Sequence, residues 1–137
     1  MQINLKITTP EGITYENNVD SVTIPTKTGE ITVLPNHIPM VSAVVPGEII
    51  VKKDNKEEYM SVSTGFLEIG KNTLTLLADT AEMVDSLVEE EILKAKERAV
   101  ALLEEKRNIS DVAFAEAAAM LEREMARLKV VRKRRKL

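Results

Sequence analysis

The chain is predicted to be α+β, with about ten short strands in a sandwich or barrel over residues 1–85 and an antiparallel two-helix hairpin over residues 86–137. Two observations predict it. Apolar residues recur with period two up to about Met83 and with the 3.6-residue helical period beyond Asp85. Turn-forming residues also interrupt the first part at short intervals, whereas they are nearly absent from the second.

Ile3, Leu5 and Ile7 alternate with Asn4, Lys6 and Thr8, which is the pattern of a half-buried strand. The same alternation returns at Val22/Ile24, Ile31/Val33, Ile49/Val51 and Leu74/Leu76. Pro10-Glu11-Gly12, Lys27-Thr28-Gly29, Pro46-Gly47, Asp54-Asn55 and Gly70-Lys71-Asn72 separate these runs and predict hairpin turns. Ser86 followed by Glu89 has the spacing of a capping box, and Glu89-Glu90-Glu91 brings negative charge to the positive end of a helix dipole. The first helix carries one seam, Val88, Ile92, Ala95, Ala99 and Leu102. "RNISD" breaks it, and Asp111 is predicted to cap a second helix with the seam Phe114, Ala118, Leu121, Met125 and Leu128. The alanines allow close approach but bury little area, so the hairpin is marginal alone and its placement is open to switching.

Composition narrows the chemistry. The 137 residues contain no cysteine, which excludes thiol nucleophiles, thiolate metal sites and disulfides, and fits exposure to the cytosol. No run approaches the roughly 18 apolar residues of a membrane span, and the start lacks a secretory pattern, so direct membrane insertion is not expected. The net charge of −3 divides into −6 for residues 1–86 and +3 for residues 87–137. The last nine residues, "KVVRKRRKL", include six cations, a run suited to solvent or to an acidic partner. Nucleic acid is disfavoured because no aromatic residue lies among those charges to stack on bases.

His37 is the only histidine, and no serine-bearing nucleophile turn surrounds it, Ser42 being the nearest serine. No catalytic residue is therefore assigned. The consecutive glutamates at 89–91 complement the helix dipole and lack the arrangement of a metal site. In "LPNHIPM", Pro35 and Pro39 fix their own dihedrals and are expected to hold Asn36 and Ile38 extended, giving a stiff loop that loses little entropy on contact. On physical grounds that loop is equally a docking surface or a strand terminus with a hydrogen-bonded histidine.

"GEITVLPNHIPMVSAV" (29–44), "STGFLEI" (63–69) and "LADTAE" (77–82), followed by the alanine-rich hairpin, together resemble the epsilon subunit of bacterial F-type ATP synthases. The resemblance covers essentially the whole chain. It implies a ten-stranded antiparallel β-sandwich on the foot of the rotating gamma subunit, touching the polar loops of the membrane c-ring at the cytoplasmic face of the membrane. It places Glu30, Pro35, His37 and Pro39 in docking, and an exposed sandwich face on gamma. It implies a hairpin that inhibits ATP hydrolysis when it extends to the catalytic alpha/beta subunits. Arg123, Arg127, Lys129, Arg132, Lys133, Arg134 and Arg135 are the candidates to meet an acidic segment of beta.

Some members of that family bind regulatory ATP near the start of the first helix, through Ile or Leu, Asp, two variable residues, Arg and Ala. Here the nearest register is Glu90-Glu91-Ile92-Leu93-Lys94-Ala95, with Glu91 for Asp and Lys94 for Arg. Glu91, Lys94 and Arg98 are the nucleotide candidates, weakened by loss of the planar arginine fork at 94. Two other classes compete: a free-standing adaptor whose basic hairpin binds acidic protein or RNA, and a hydrolase built on His37.

Overall fold

A computed structural model describes residues 1–106 and 110–134. Ten strands precede two helices: β1 (Ile3–Thr9), β2 (Gly12–Val19), β3 (Ser21–Thr26), β4 (Gly29–Val33), β5 (Met40–Val44), β6 (Gly47–Lys53), β7 (Lys56–Val62), β8 (Gly65–Ile69), β9 (Thr73–Ala78) and β10 (Ala81–Met83). A short 3₁₀ turn at Val84–Ser86 leads to α1 (Glu89–Lys106) and α2 (Asp111–Arg134).

The strands form two five-stranded layers, β10-β7-β6-β3-β4 and β5-β8-β9-β1-β2, joined in the ladder only where Thr26 of β3 pairs with Val44 of β5. One core lies between the layers, because Leu5, Ile7, Leu67 and Leu76 from one belong to the same buried cluster as Val22, Ile49, Val51 and Met60 from the other. Cross-strand register aligns them: Val33 opposes Val22, which opposes Val51, while Leu67 opposes Leu76, which opposes Ile7. The sandwich is thus as expected, with one departure from antiparallel pairing. β1 and β9 run parallel, because β1 is claimed on its other side by its hairpin partner β2 and the sheet closes on the returning ninth strand.

The hairpin differs from the sequence reading in four places, the first being Val88, which precedes α1 and is 49% exposed rather than part of its seam. Ser86 Oγ donates to the Met83 carbonyl at 2.7 Å inside the 3₁₀ turn, so no capping box forms and α1 begins only at Glu89. Ser110, not Asp111, caps α2, since its Oγ accepts from the Ala113 N–H at 3.0 Å. The buried residues of α2 are Ala117, Glu124, Leu128, Val130 and Val131, with Ala118 and Leu121 only half-buried and Phe114 38% and Met125 51% exposed. The rotation has a physical cause: α2 packs on α1 with one side and on β6 and β7 with another, so two arcs are covered where one seam was expected. The interface between the helices is thin. Its buried cluster is Leu87, Ile92, Leu128 and Val131.

Candidate functional site

The outer face of the β5-β8-β9-β1-β2 layer carries apolar side chains at positions where alternation calls for polar ones. Ala43, Phe66, Leu77, Thr8 and Ile13 oppose one another in turn across the five strands and therefore share that face. Phe66 is 62%, Leu77 54% and Ile13 56% exposed, and Val41 on the same side of β5 is 70% exposed. At Gly65 an added Cβ would collide with the Leu77 carbonyl oxygen and lie 2.8 Å from Ala78 Cα, so glycine lets β8 close onto β9 beside Phe66. Sequence reasoning missed these residues, although Phe66 and Leu77, apolar at outward parity, were the available signal.

The Leu34–Met40 loop is ordered by a turn in which the His37 N–H donates to the Leu34 carbonyl at 3.2 Å. Pro35 supplies its fixed φ at the second position of a type II turn. Asn36 at the third adopts φ +63° instead of the extended conformation expected of it, because a proline restrains the residue before it and leaves the one after free to enter such a turn. His37 Nδ1–H donates to the Ile38 carbonyl at 2.7 Å, while Ser42 Oγ donates to the Ala43 carbonyl at 3.4 Å, so the two are not coupled as base and nucleophile. Leu34 and Ile38 project outward, 57% and 74% exposed. Glu30 stands apart from Pro35, His37 and Pro39. It pairs with Pro25 at the other end of β4, roughly 10 Å of strand from Val33, and lines a recess of about 250 Å³ with Glu48, Lys129 and Lys133 beneath α2.

Charge, rather than apolar area, marks the contact of α2 with the sandwich. Arg134 makes a bidentate pair with Glu48, Nε to Oε2 at 2.7 Å and Nη2 to Oε1 at 2.6 Å, and Lys133 Nζ reaches the same carboxylate at 3.4 Å. The Arg134 guanidinium lies 3.8 Å from the centre of the Tyr59 ring, whose hydroxyl donates to Glu57 at 2.5 Å. Burial alone would raise the Glu48 carboxyl, but the hydrogen bonds and charge of Arg134, followed by Lys133, outweigh it and hold the group below the usual glutamate range. The Glu48 hydrogen bond in turn raises Arg134.

Further along the interface Arg127 pairs with Glu82 of β10, and Arg132 donates to Glu89 of α1 at 2.8 Å. Arg127 Nη1 at 2.7 Å and Arg123 Nε at 3.3 Å share one oxygen of Glu124, which is only 2% exposed. Its other oxygen has no partner among the described residues. Of the cations expected to face an acidic segment, Arg123, Arg127, Arg132, Lys133 and Arg134 are therefore already engaged within the chain. Lys129 is exposed with no ion pair among the described residues, and Arg135 lies outside them. Glu91 and Arg98 line one cavity of about 220 Å³ with Glu82, Glu124 and Arg127, whereas Lys94 is not part of it. Among the described residues no group of three or more side chains is arranged to hold a metal ion. No described helix is long and apolar enough to cross a membrane.

Comparison with known proteins places this geometry. Residues 2–84 match the family described as ATP synthase, Delta/Epsilon chain, beta-sandwich domain. Proteins named ATP synthase epsilon chain are 36% identical in Bacillus velezensis, over 93% of this chain and 96% of that one, and 37% identical in Dehalococcoides mccartyi, over 98% and 96%. The fold recurs in a chain of the Euglena gracilis mitochondrial ATP synthase, from an assembly of OSCP, F1 and c-ring in rotational state 1. There the TM-score is 0.74 and the identity 23%, covering 91% of this chain and 78% of that one. It recurs in the central stalk and c-ring of the Tetrahymena thermophila mitochondrial enzyme with a TM-score of 0.57 and 16% identity, over 98% and 96%. With its sandwich matched as a family domain and its relatives aligned through the hairpin, the chain belongs to the family of ATP synthase epsilon chains.

Proposed function

We propose that the chain is a non-catalytic rotor subunit at the cytoplasmic face of the membrane, whose sandwich couples gamma to the c-ring and whose hairpin restrains ATP hydrolysis. The observation that carries the coupling half is the outward apolar row Ile13, Leu77 and Phe66, with Val41 beside it. A flat apolar sheet face of this kind suits a large partner surface and is costly to leave in water. Gamma is the occupant assigned to it, and the stiff Leu34–Met40 loop, with Pro35, His37, Ile38 and Pro39, is assigned to the polar loops of the ring.

The regulatory half rests on competition for cations. In the compact hairpin Arg127, Arg132, Lys133 and Arg134 are held by Glu82, Glu89 and Glu48. An acidic segment of the beta subunit would have to take the same cations from these carboxylates. Exposed pairs exchange at only about 0.2–1 kcal/mol each, so the compact and extended forms stay within reach of the roughly 5.5 kcal/mol that inverts a 1:99 equilibrium. Arg132 and Arg134 thus serve both forms, and replacing them weakens compact packing as well as inhibition. The adaptor reading has no comparable support, because the basic face is spent on the chain's own acids. A regulatory role for ATP at the cavity lined by Glu91 and Arg98 rests on Arg98, because Arg127 is paired there with Glu82 and Glu124 and Glu91 adds a third carboxylate to the lining.

Introducing Glu at both Phe66 and Leu77 is expected to reduce retention on immobilised gamma at least tenfold without unfolding the sandwich; unchanged retention would place gamma elsewhere. Truncation after Asp85 should leave assembly and ATP synthesis intact and raise ATP hydrolysis by the assembled enzyme, and equal hydrolysis rates would remove the inhibitory role. Glu48→Gln is expected to shift the hairpin toward its open form by about 1–2 kcal/mol, a five- to thirtyfold change in population. It can be read by energy transfer between dyes on cysteines introduced at Lys56 and Ala115. Because the Glu48 carboxyl is depressed in the compact form, its contribution is present above about pH 4.3 and lost as pH falls further. Wild type should therefore open on acidification below that point while Glu48→Gln responds less, and identical acid profiles would contradict the assignment. Calorimetric titration with MgATP should give a binding heat that Arg98→Ala abolishes; no heat with wild type would separate the hairpin from nucleotide.

A further inference from the structure

Three segments distant in sequence meet at the side chain of Asn72. Its Oδ1 accepts from the Asn36 N–H at 3.0 Å, within the turn of the Leu34–Met40 loop. Its Nδ2 donates to the Gln2 carbonyl at 2.9 Å, just before β1. Its own carbonyl accepts from the Asn4 N–H at 3.3 Å, in the same corner where β1 runs beside β9. Asn72 itself occupies the tight connection from β8 to β9 at φ +53°, closed by the Gly70 N–H donating to the Thr73 carbonyl at 2.9 Å.

Each of these details demands a particular chemistry. A residue at φ +53° is strained unless it is Gly, Asn or Asp. An Asp there would keep the acceptor for Asn36 and lose the donor to Gln2, and a Gly would keep the backbone and lose both. Asn alone satisfies the dihedral and both hydrogen bonds. The bond to Asn36 has a further effect, because Asn36 is also left-handed, at φ +63°. In that conformation the peptide N–H of Asn36 points out of the turn, where Asn72 receives it. The loop follows β4 and leads into β5, strands that lie in different layers. Proline sets the loop's internal shape, but an outside contact must set its angle to the body, and Asn72 anchors it to the β1-β9 corner of the second layer.

We propose that Asn72 is a positioning residue for docking to the ring: its amide sets the angle at which His37 and Ile38 are presented, without touching the partner through its own side chain. The proposal rests on the assignment of the Leu34–Met40 loop to the ring made above.

The test uses the full chain bound to gamma and measures its affinity for the isolated detergent-solubilised c-ring. Asn72→Gly, which keeps the backbone allowed at φ +53°, is expected to weaken ring binding about three- to tenfold, the value of one net hydrogen bond or slightly more, while gamma binding is unchanged. Asn72→Asp, retaining the acceptor, should recover most of that loss. Amide exchange at Asn36 should lose protection in Asn72→Gly and keep it in Asn72→Asp, a local readout that a general loss of stability would not reproduce. Ile38→Asp in the loop serves as the control for the underlying assignment. If Ile38→Asp abolishes ring binding and Asn72→Gly leaves it intact, the positioning role is overturned and the docking surface stands. If neither variant changes ring binding, the docking assignment itself fails. Parallel losses toward gamma and ring in both Asn72 variants would reduce the residue to a structural part of the turn and equally overturn the proposal.

Discussion

A β-strand has two faces, and only one of them can enter a core; the rest of this molecule is organised around what is done with the other. In the β10-β7-β6-β3-β4 layer, β6 and β7 lie under α2, and Glu48 and Tyr59 there receive Arg134. In the opposite layer none of the described residues covers the outer face, and Phe66, Leu77 and Ile13 are more than half exposed. The asymmetry divides the labour. One layer carries the chain's own helices, and the other leaves an apolar surface exposed, a feature that marks interaction surfaces.

The two contacts obey different physics. Apolar burial is non-directional and scales with area, so an attachment through Phe66 and Leu77 tolerates small errors of angle and depends little on salt. The attachment of α2 is built from charged groups near the surface, which are directional, screened by ions and individually small. A permanent joint suits the first kind of contact and a reversible one the second. Within the α2 contact Glu48 is the best shielded of the paired carboxylates on the sandwich side, its side chain 12% exposed, which strengthens the pair with Arg134 while Lys133, 59% exposed, remains in solvent.

Much of this was legible in the residues. Strand alternation located the sandwich, since each of Ile3, Leu5 and Ile7 is fully buried where the period puts it. The parallel pairing of β1 with β9 was not legible, because it joins residues about 70 positions apart and no local pattern records it. The start of α1 was misread because Ser86 has two equivalent uses, a helix cap or a 3₁₀ turn, and only the buried neighbour Val84 decides between them. The face of α2 was misread because Glu124 interrupts the true buried stripe with a carboxylate, which apolar periodicity discards. The stiffness of the Leu34–Met40 loop was visible from its prolines. The apolar row was not, since a lone outward Phe66 or Leu77 means little until register places them side by side.

The β1-β9 pairing has a consequence for the history of each molecule. Neighbouring hairpins such as β1-β2 and β6-β7 close short loops and can form as soon as they are made. The strand that seals the barrel-like sheet beside β1 is the ninth, so during synthesis the first hairpin waits with an unpaired edge until residue 78 has left the ribosome. Contacts of such long range make for slow folding. The helices emerge after that, which means α2 meets Glu48 only when the surface bearing it is already complete.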